Sequence, residues 1–124
     1  MTALMAIGIA VAGGLGAASR FALDSWIKAL TGGKFPWGIA VVNLTGSFAL
    51  GILAGLALAE PAAAILATGF LGGYTTFSTA SVDSVRLLQE RRYGAALANG
   101  PGLIAAAAAV ALLGILLGRG IAAA

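Results

Sequence analysis

The chain has 124 residues, 60% of them hydrophobic and only 9% charged, with a net charge of +3 and a basic pI. Soluble domains carry about 25% charged residues, so charge this sparse predicts an integral membrane protein. The lack of cysteine and histidine excludes disulfides, thiol chemistry and the common zinc sites, and with no soluble domain to gather basic residues, no nucleic-acid partner is expected.

The charges divide the chain into the uncharged runs Met1–Ser19, Phe35–Ala59, Pro61–Val82 and Tyr93–Gly118. A helix needs roughly 20 apolar residues to cross a bilayer. In lipid every backbone polar group must be satisfied internally, so helices are the expected solution. The prediction is a single all-α membrane domain over residues 1–124, with four transmembrane helices at about 3–27, 36–59, 61–90 and 94–118. Met1–Ser19 lacks the basic start of a signal peptide and is read as the first span. Pro36 and Pro61 stand at helix starts, where a missing N–H is harmless. The connections "DSWIKALTGGK", "AEP" and "RLLQERRY" are short.

In the first span Gly8, Ala12, Gly16, Arg20 and Asp24 recur every four residues and share one face. Arg20 and Asp24 read as an ion pair at the membrane interface. The second span repeats the spacing with Asn43, Ser47, Gly51 and Gly55, and the fourth with Gly114 and Gly118. Faces of small residues let membrane helices pack closely. A buried amide is expensive unless paired, so Asn43 reads as a pore or packing hydrogen-bonder.

The third span contains "TGFLGGYTTFSTAS", Thr68 to Ser81. Adjacent glycines weaken a helix and permit positive φ, which predicts a break over 72–75. Thr75 or Thr76 could then cap a second half-helix. Freed carbonyls suit a hard cation, while the hydroxyls and the following helix N-terminus favour an anion. The other reading of the same residues is a kinked helix with Ser/Thr back-bonds.

"GFLGGYTTFSTAS" followed by "VDSVRLLQERRYG" resembles the Fluc/CrcB family of fluoride channels, as do "GGLGAASR" and "PWGIAVVNLTGSFALG". The resemblance implies an antiparallel dimer in the bacterial plasma membrane, surrounded by lipid, that exports toxic fluoride passively. It implies a structural sodium ion, not transported, on the backbone carbonyls of Gly72 and Thr75. It places Asn43 and Phe77 along the pore and Arg20 at the close of the first helix; the hydroxyls of Thr76, Ser78, Thr79 and Ser81 are expected to join the pore lining as donors, and Arg20 and Asp83 to serve a structural or vestibule role. Fluoride is small and strongly hydrated, so donors must replace its water. A phenylalanine ring has a positive edge that can face an anion without trapping it.

Three positions depart from the family pattern. Ala80 stands where "TTFSTFS" has its second phenylalanine, Ile39 replaces a common threonine, and the fourth span, "NGPGLIAAAAAVALLGILLG", has no hydroxyl. The charges add a separate expectation. Arg20, Lys28, Lys34, Arg86, Arg91 and Arg92 lie on or near the side of the first and third connections, and only Arg119 lies opposite. Such bias fixes orientation. It predicts one topology with both termini outside, and an oppositely oriented homologue as the partner in any antiparallel dimer. Two rivals follow: a poorly conducting or non-conducting partner subunit with the same fold, and a small multidrug/proton antiporter. The latter needs a carboxylate at mid-membrane, whereas Asp24 and Asp83 fall at span ends and Glu60 in a loop. An enzyme is not expected, since no nucleophile–base pair is present.

Overall fold

A computed structural model describes residues 2–124, and these are helical with no strand among them. Helix α1 is Ala3–Thr31. The Thr2 hydroxyl caps it by accepting the Met5 N–H at 3.1 Å. It stops at Gly32, whose φ of 79° only glycine adopts readily and whose N–H donates to the Lys28 carbonyl. Most of "DSWIKALTGGK", expected as a connection, is therefore helix. Arg20 does not close α1 but lies well inside it. Charged side chains at a membrane edge extend their heads toward water, so Asp24 and Lys28 do not end the helix.

Helix α2 is Trp37–Leu56, beginning directly after Pro36. The third path has two parts. Helix α3 runs through a wide, π-type turn, Ala64–Leu71, into Gly72–Tyr74. The chain then leaves the helix at Thr75, with φ −82° and ψ 156°, and helix α4 begins at Ser78 and ends at Gln89. The expected turn at the paired glycines is displaced: Gly72 is helical, with φ −62° and ψ −39°, and the non-helical residues are Thr75–Phe77. Helix α5 is Tyr93–Ala123. It widens at Ala98–Gly102 around Pro101, which has no N–H to give the helix ladder. Four helical paths result, and α1, α2 and α5 are each long and apolar enough to cross a membrane.

The paths pair two by two, α2 with α5 and α1 with α3. Glycines make both contacts possible. A Cβ at Gly51 would strike the Ala111 carbonyl, one at Gly55 the Ile115 carbonyl, one at Gly114 the Phe48 carbonyl and one at Gly118 the Ile52 carbonyl. On the other pair, Gly16 lies against the Phe70 carbonyl and Gly73 against the Gly13 carbonyl. Contact partners rise together along each pair, so paired helices run in the same direction. Backbone approach this close supplies the dispersion contact that lipid cannot, since lipid tails are as apolar as leucine. The outer faces carry large apolar side chains such as Leu4, Phe21, Trp26, Leu112 and Leu116, all exposed in the chain.

The α1–α2 and α4–α5 connections meet at one end, where the Arg92 guanidinium donates to the Lys34 carbonyl. Arg86 bridges Glu90 at 3.5 Å and Asp83 at 3.9 Å, and Arg92 also reaches Glu90. Exposed pairs of this kind are worth about 0–1 kcal/mol each. The expected Arg20–Asp24 pair is not among the ion pairs of the described residues, because Arg20 turns to the backbone of Thr75.

The glycine contacts yield a test. Gly51→Val should destabilise the fold by about 1–3 kcal/mol or more, as overpacking does, while Gly14→Ala, whose Cβ meets nothing within 4 Å, should be neutral or slightly stabilising. Unfolding in detergent followed by circular dichroism measures both; equal effects would show that backbone approach does not govern the α2–α5 contact.

Candidate functional site

The interrupted helix borders an open cleft of about 560 Å³ between α2, the Thr75–Phe77 segment, α4 and α5. Asn43 and Ser47 face it from α2, one turn apart. Gly72, Thr75, Thr76 and Phe77 line it at the interruption, Ala80, Ser81 and Ser84 from α4, and Asn99 with Leu103, Ile104 and Ala107 from α5. Among the described residues no charged one lines it. A smaller cavity of about 210 Å³ lies toward the end where the connections meet, and Asp24, Lys28, Thr79, Asp83 and Arg86 face it.

One side chain accounts for where the helix stops. The Asn43 amide donates to the Thr76 carbonyl at 2.8 Å and accepts the Thr76 N–H at 2.9 Å. The two bonds substitute for backbone pairing at a buried residue, for Thr76 is 8% exposed. Thr76 consequently gives its N–H to Asn43 instead of to the Gly72 carbonyl, its normal helical acceptor. Gly46 allows the approach, because a Cβ there would strike the Thr75 methyl group. On the far side of the interruption the Thr76 hydroxyl accepts the Thr79 N–H at 3.3 Å, a capping contact at the start of α4.

Thr75 is held on its other atoms. Its N–H and its hydroxyl both donate to the Leu71 carbonyl at 2.9 Å. Its carbonyl receives only a long contact, 3.4 Å, from the Arg20 guanidinium. The carbonyls of Gly72 and Thr75 thus have acceptor capacity to spare. Oxygen ligands of this kind suit a hard cation. Among the described residues no group of three or more His, Cys, Asp or Glu stands together that could hold a metal.

The structure sorts the residues singled out in the sequence. Asn43, Gly72, Thr75, Thr76, Phe77 and Ser81 line the larger cleft, whereas Thr79 and Asp83 line the smaller one. Ser78 lines neither, and its hydroxyl lies 3.4 Å from that of Thr76. Arg20 also lines neither and reaches the interruption from α1. Phe77 is 77% exposed, its ring projecting from the chain. Ile39, at the position of the missing threonine, is buried and faces the smaller cavity.

Two residues gain weight from the structure. Asn99 is 2% exposed and donates to the Ala80 carbonyl at 3.1 Å and to the Ser84 hydroxyl at 2.9 Å, tying α5 to α4. Its signal in the sequence is that it stands alone as a polar residue in an otherwise apolar run. Ser47 reads as one more small residue on a packing face, yet it lines the cleft.

Residues 7–118 match the family model described as CrcB-like protein, Camphor Resistance (CrcB). The chain is 48% identical to the fluoride-specific ion channel FluC 1 of Leifsonia xyli subsp. xyli, over 95% of this chain and 89% of that protein. It is 42% identical to fluoride-specific ion channel FluC 2 of Mycobacterium bovis, over 92% and 90%, and 44% identical to fluoride-specific ion channel FluC of Syntrophotalea carbinolica, over 90% and 94%.

Asn43→Leu keeps the branched outline of asparagine and its number of side-chain heavy atoms and deletes both bonds to Thr76. Each buried backbone group left without a partner costs about 1–3 kcal/mol. The variant should therefore lose at least about 2 kcal/mol of stability. Denaturant unfolding in detergent measures this, and unchanged stability would mean that the two bonds do not hold the interruption in place.

Proposed function

The chain belongs to the CrcB-like family, and from that premise we propose that it forms a fluoride-specific ion channel of the bacterial plasma membrane. The family is one of ion channels, so the chain is not an enzyme. Fluoride leaves the cell passively through the complex, which lowers its cytoplasmic concentration and toxicity. The observation that carries this reading is the open cleft at the interrupted helix, largely apolar, whose polar lining is amide and hydroxyl groups, with no charged side chain among the described residues. Neutral donors replace the water around a small anion, and the lack of a fixed cation lets it leave again. The Phe77 ring, projecting from the chain, offers the positive edge of its quadrupole to the ion.

The working unit in this reading is an antiparallel dimer. A second copy of the fold covers the exposed Phe77 and Gly72, and its Gly72 and Thr75 carbonyls join those of the first around one sodium ion. That ion is structural and holds two interrupted helices together. Gly72 suits such a junction, since a Cβ there would meet nothing in its own chain closer than 3.9 Å.

The charge distribution supports a hetero-dimeric version. Lys28, Lys34, Arg86, Arg91 and Arg92 gather at the end where the connections meet, and Arg119 lies at the other. Arg20 reaches the interruption and drops out of the loop count. Five against one still favours a single orientation, with that end cytoplasmic and both termini outside. The antiparallel partner is then an oppositely oriented homologue. A second reading, in which this chain is the poorly conducting or non-conducting subunit of such a pair, draws on the α5 wall of the cleft. There Leu103, Ile104 and Ala107 line the same cleft as Ala80 and bring no hydroxyl to it.

Liposomes holding this chain with a homologue of reversed loop charge should release fluoride far faster than chloride. Phe77→Ile, which keeps bulk and removes the quadrupole, should abolish release while assembly persists. Purification and reconstitution without sodium should weaken the dimer. Release no faster than from empty liposomes would refute the channel reading; wild-type flux in Phe77→Ile would reduce the ring to packing; and a dimer indifferent to sodium would remove the ion.

Orientation is read separately. Ala122→Cys and Gln89→Cys, made singly in a chain without native cysteine, are exposed to an impermeant thiol reagent on intact cells. Only Ala122→Cys should label, and equal labelling of the two would establish dual topology and a homodimer.

A further inference from the structure

The donors on the cleft wall can be counted one by one. The Thr75 hydroxyl donates to the Leu71 carbonyl at 2.9 Å, the Ser81 hydroxyl to the Phe77 carbonyl at 2.9 Å and the Ser84 hydroxyl to the Ala80 carbonyl at 3.0 Å. These are back-bonds to the preceding helical turn, the usual way a serine or threonine hides its proton in an apolar medium. The Thr76 hydroxyl is engaged with those of Thr79 and Ser78 at 3.3 and 3.4 Å. Both bonds of the Asn99 amide nitrogen go to α4, to the Ala80 carbonyl and the Ser84 hydroxyl. An amide nitrogen carries two hydrogens, so Asn99 has none left. Asn43 spends one of its two on the Thr76 carbonyl.

Ser47 differs from all of these. It faces the same cleft and is half-buried, yet among the described residues its hydroxyl has no partner and makes no back-bond to Asn43, whereas Thr45, two residues before it on α2, back-bonds to the Val41 carbonyl at 2.7 Å. Ser47 lies four residues after Asn43, on the same helical face. Side chains so spaced stand about 5–6 Å apart at Cβ, a separation that lets two donors converge on one small ion. Among the side chains of the described residues, the remaining hydrogen of Asn43 and the free hydroxyl of Ser47 are the two uncommitted donors of the cleft.

We propose that Ser47 is an anion-contacting residue of the cleft, pairing its hydroxyl with the second amide hydrogen of Asn43 to form a two-donor site for a small hard anion. The site rests on the fluoride reading for the identity of that anion. It also gives Asn43 two simultaneous tasks: one N–H and the carbonyl oxygen fix the interruption, and the other N–H meets the ion. With the α5 wall bare of hydroxyls, α2 supplies the dehydrating surface. A large anion with diffuse charge gains little from two point donors, so the site favours fluoride over chloride.

The test compares Ser47→Ala, which deletes the donor, with Ser47→Cys, which keeps the shape and leaves a weak one. Fluoride efflux from liposomes holding the complex should fall at least tenfold in Ser47→Ala and by less in Ser47→Cys, with sodium-dependent assembly as in the wild type. A second reading is the rise in melting temperature caused by added fluoride, which should shrink in the same order. Wild-type efflux and an unchanged fluoride shift in Ser47→Ala would overturn the proposal, as would equal losses in the two variants accompanied by failed assembly, which would mark Ser47 as packing. A wild-type complex that releases no fluoride sinks the channel reading by itself. In that case the melting shift still decides the site: a shift lost in Ser47→Ala upholds anion contact, and no shift in the wild type ends it.

Discussion

The reciprocal pair of hydrogen bonds between the Asn43 amide and the Thr76 backbone is the contact on which the rest of the architecture depends. In a hydrocarbon setting a chain can leave helical geometry only where its backbone groups find other partners. Asn43 supplies those partners for one residue. Its neighbours follow: with the Thr76 N–H turned aside, the Gly72 carbonyl is released, Thr75 extends, and α4 begins again under the Thr76 hydroxyl. A single side chain thereby creates both the freed carbonyls and the fresh helix start, and it also forms part of the wall of the cleft.

That contact needs α2 held firmly, and α5 does this. The glycines at 51, 55, 114 and 118 put the two backbones against each other, so α2 presents Asn43, Gly46 and Ser47 from a rigid surface. The α1–α3 pair does the same for the other side, with Gly13 and Gly16 against Gly73 and Phe70. The interruption thus sits between the two pairs, and the cleft opens beside it between α2, α4 and α5. Sites carried on helices held in this way are positioned more precisely than sites carried on loops.

The three long apolar helices, α1, α2 and α5, were legible in the sequence because charge and apolar length report directly on what lipid will accept. The small-residue faces were legible because their spacing of four is local. The errors arose where a tertiary contact overrode a local rule. Gly72 and Gly73 are the obvious place for a helix to break, yet they remain helical. The break is set by Asn43, 33 residues away from Thr76 in the chain, and only the fold brings the two together. Arg20 and Asp24 have ion-pair spacing, but a carbonyl freed on the neighbouring helix draws Arg20 instead. Asp24 and Lys28 suggested a loop, and a glycine with positive φ several residues later ends the helix. Asn99 was visible as an isolated polar residue, but its role in tying α5 to α4 depends on carbonyl and hydroxyl positions that no spacing reveals.

The measurement closest to the central claim is hydrogen exchange at the Thr76 amide in the assembled protein. If the Asn43 carbonyl oxygen holds that N–H as backbone would, Thr76 exchanges as slowly as Thr75, whose N–H is bonded to the Leu71 carbonyl, although Thr76 lies outside any helix. Exchange at Thr76 as fast as in an exposed loop would contradict the account, for the interruption would then be a flexible kink.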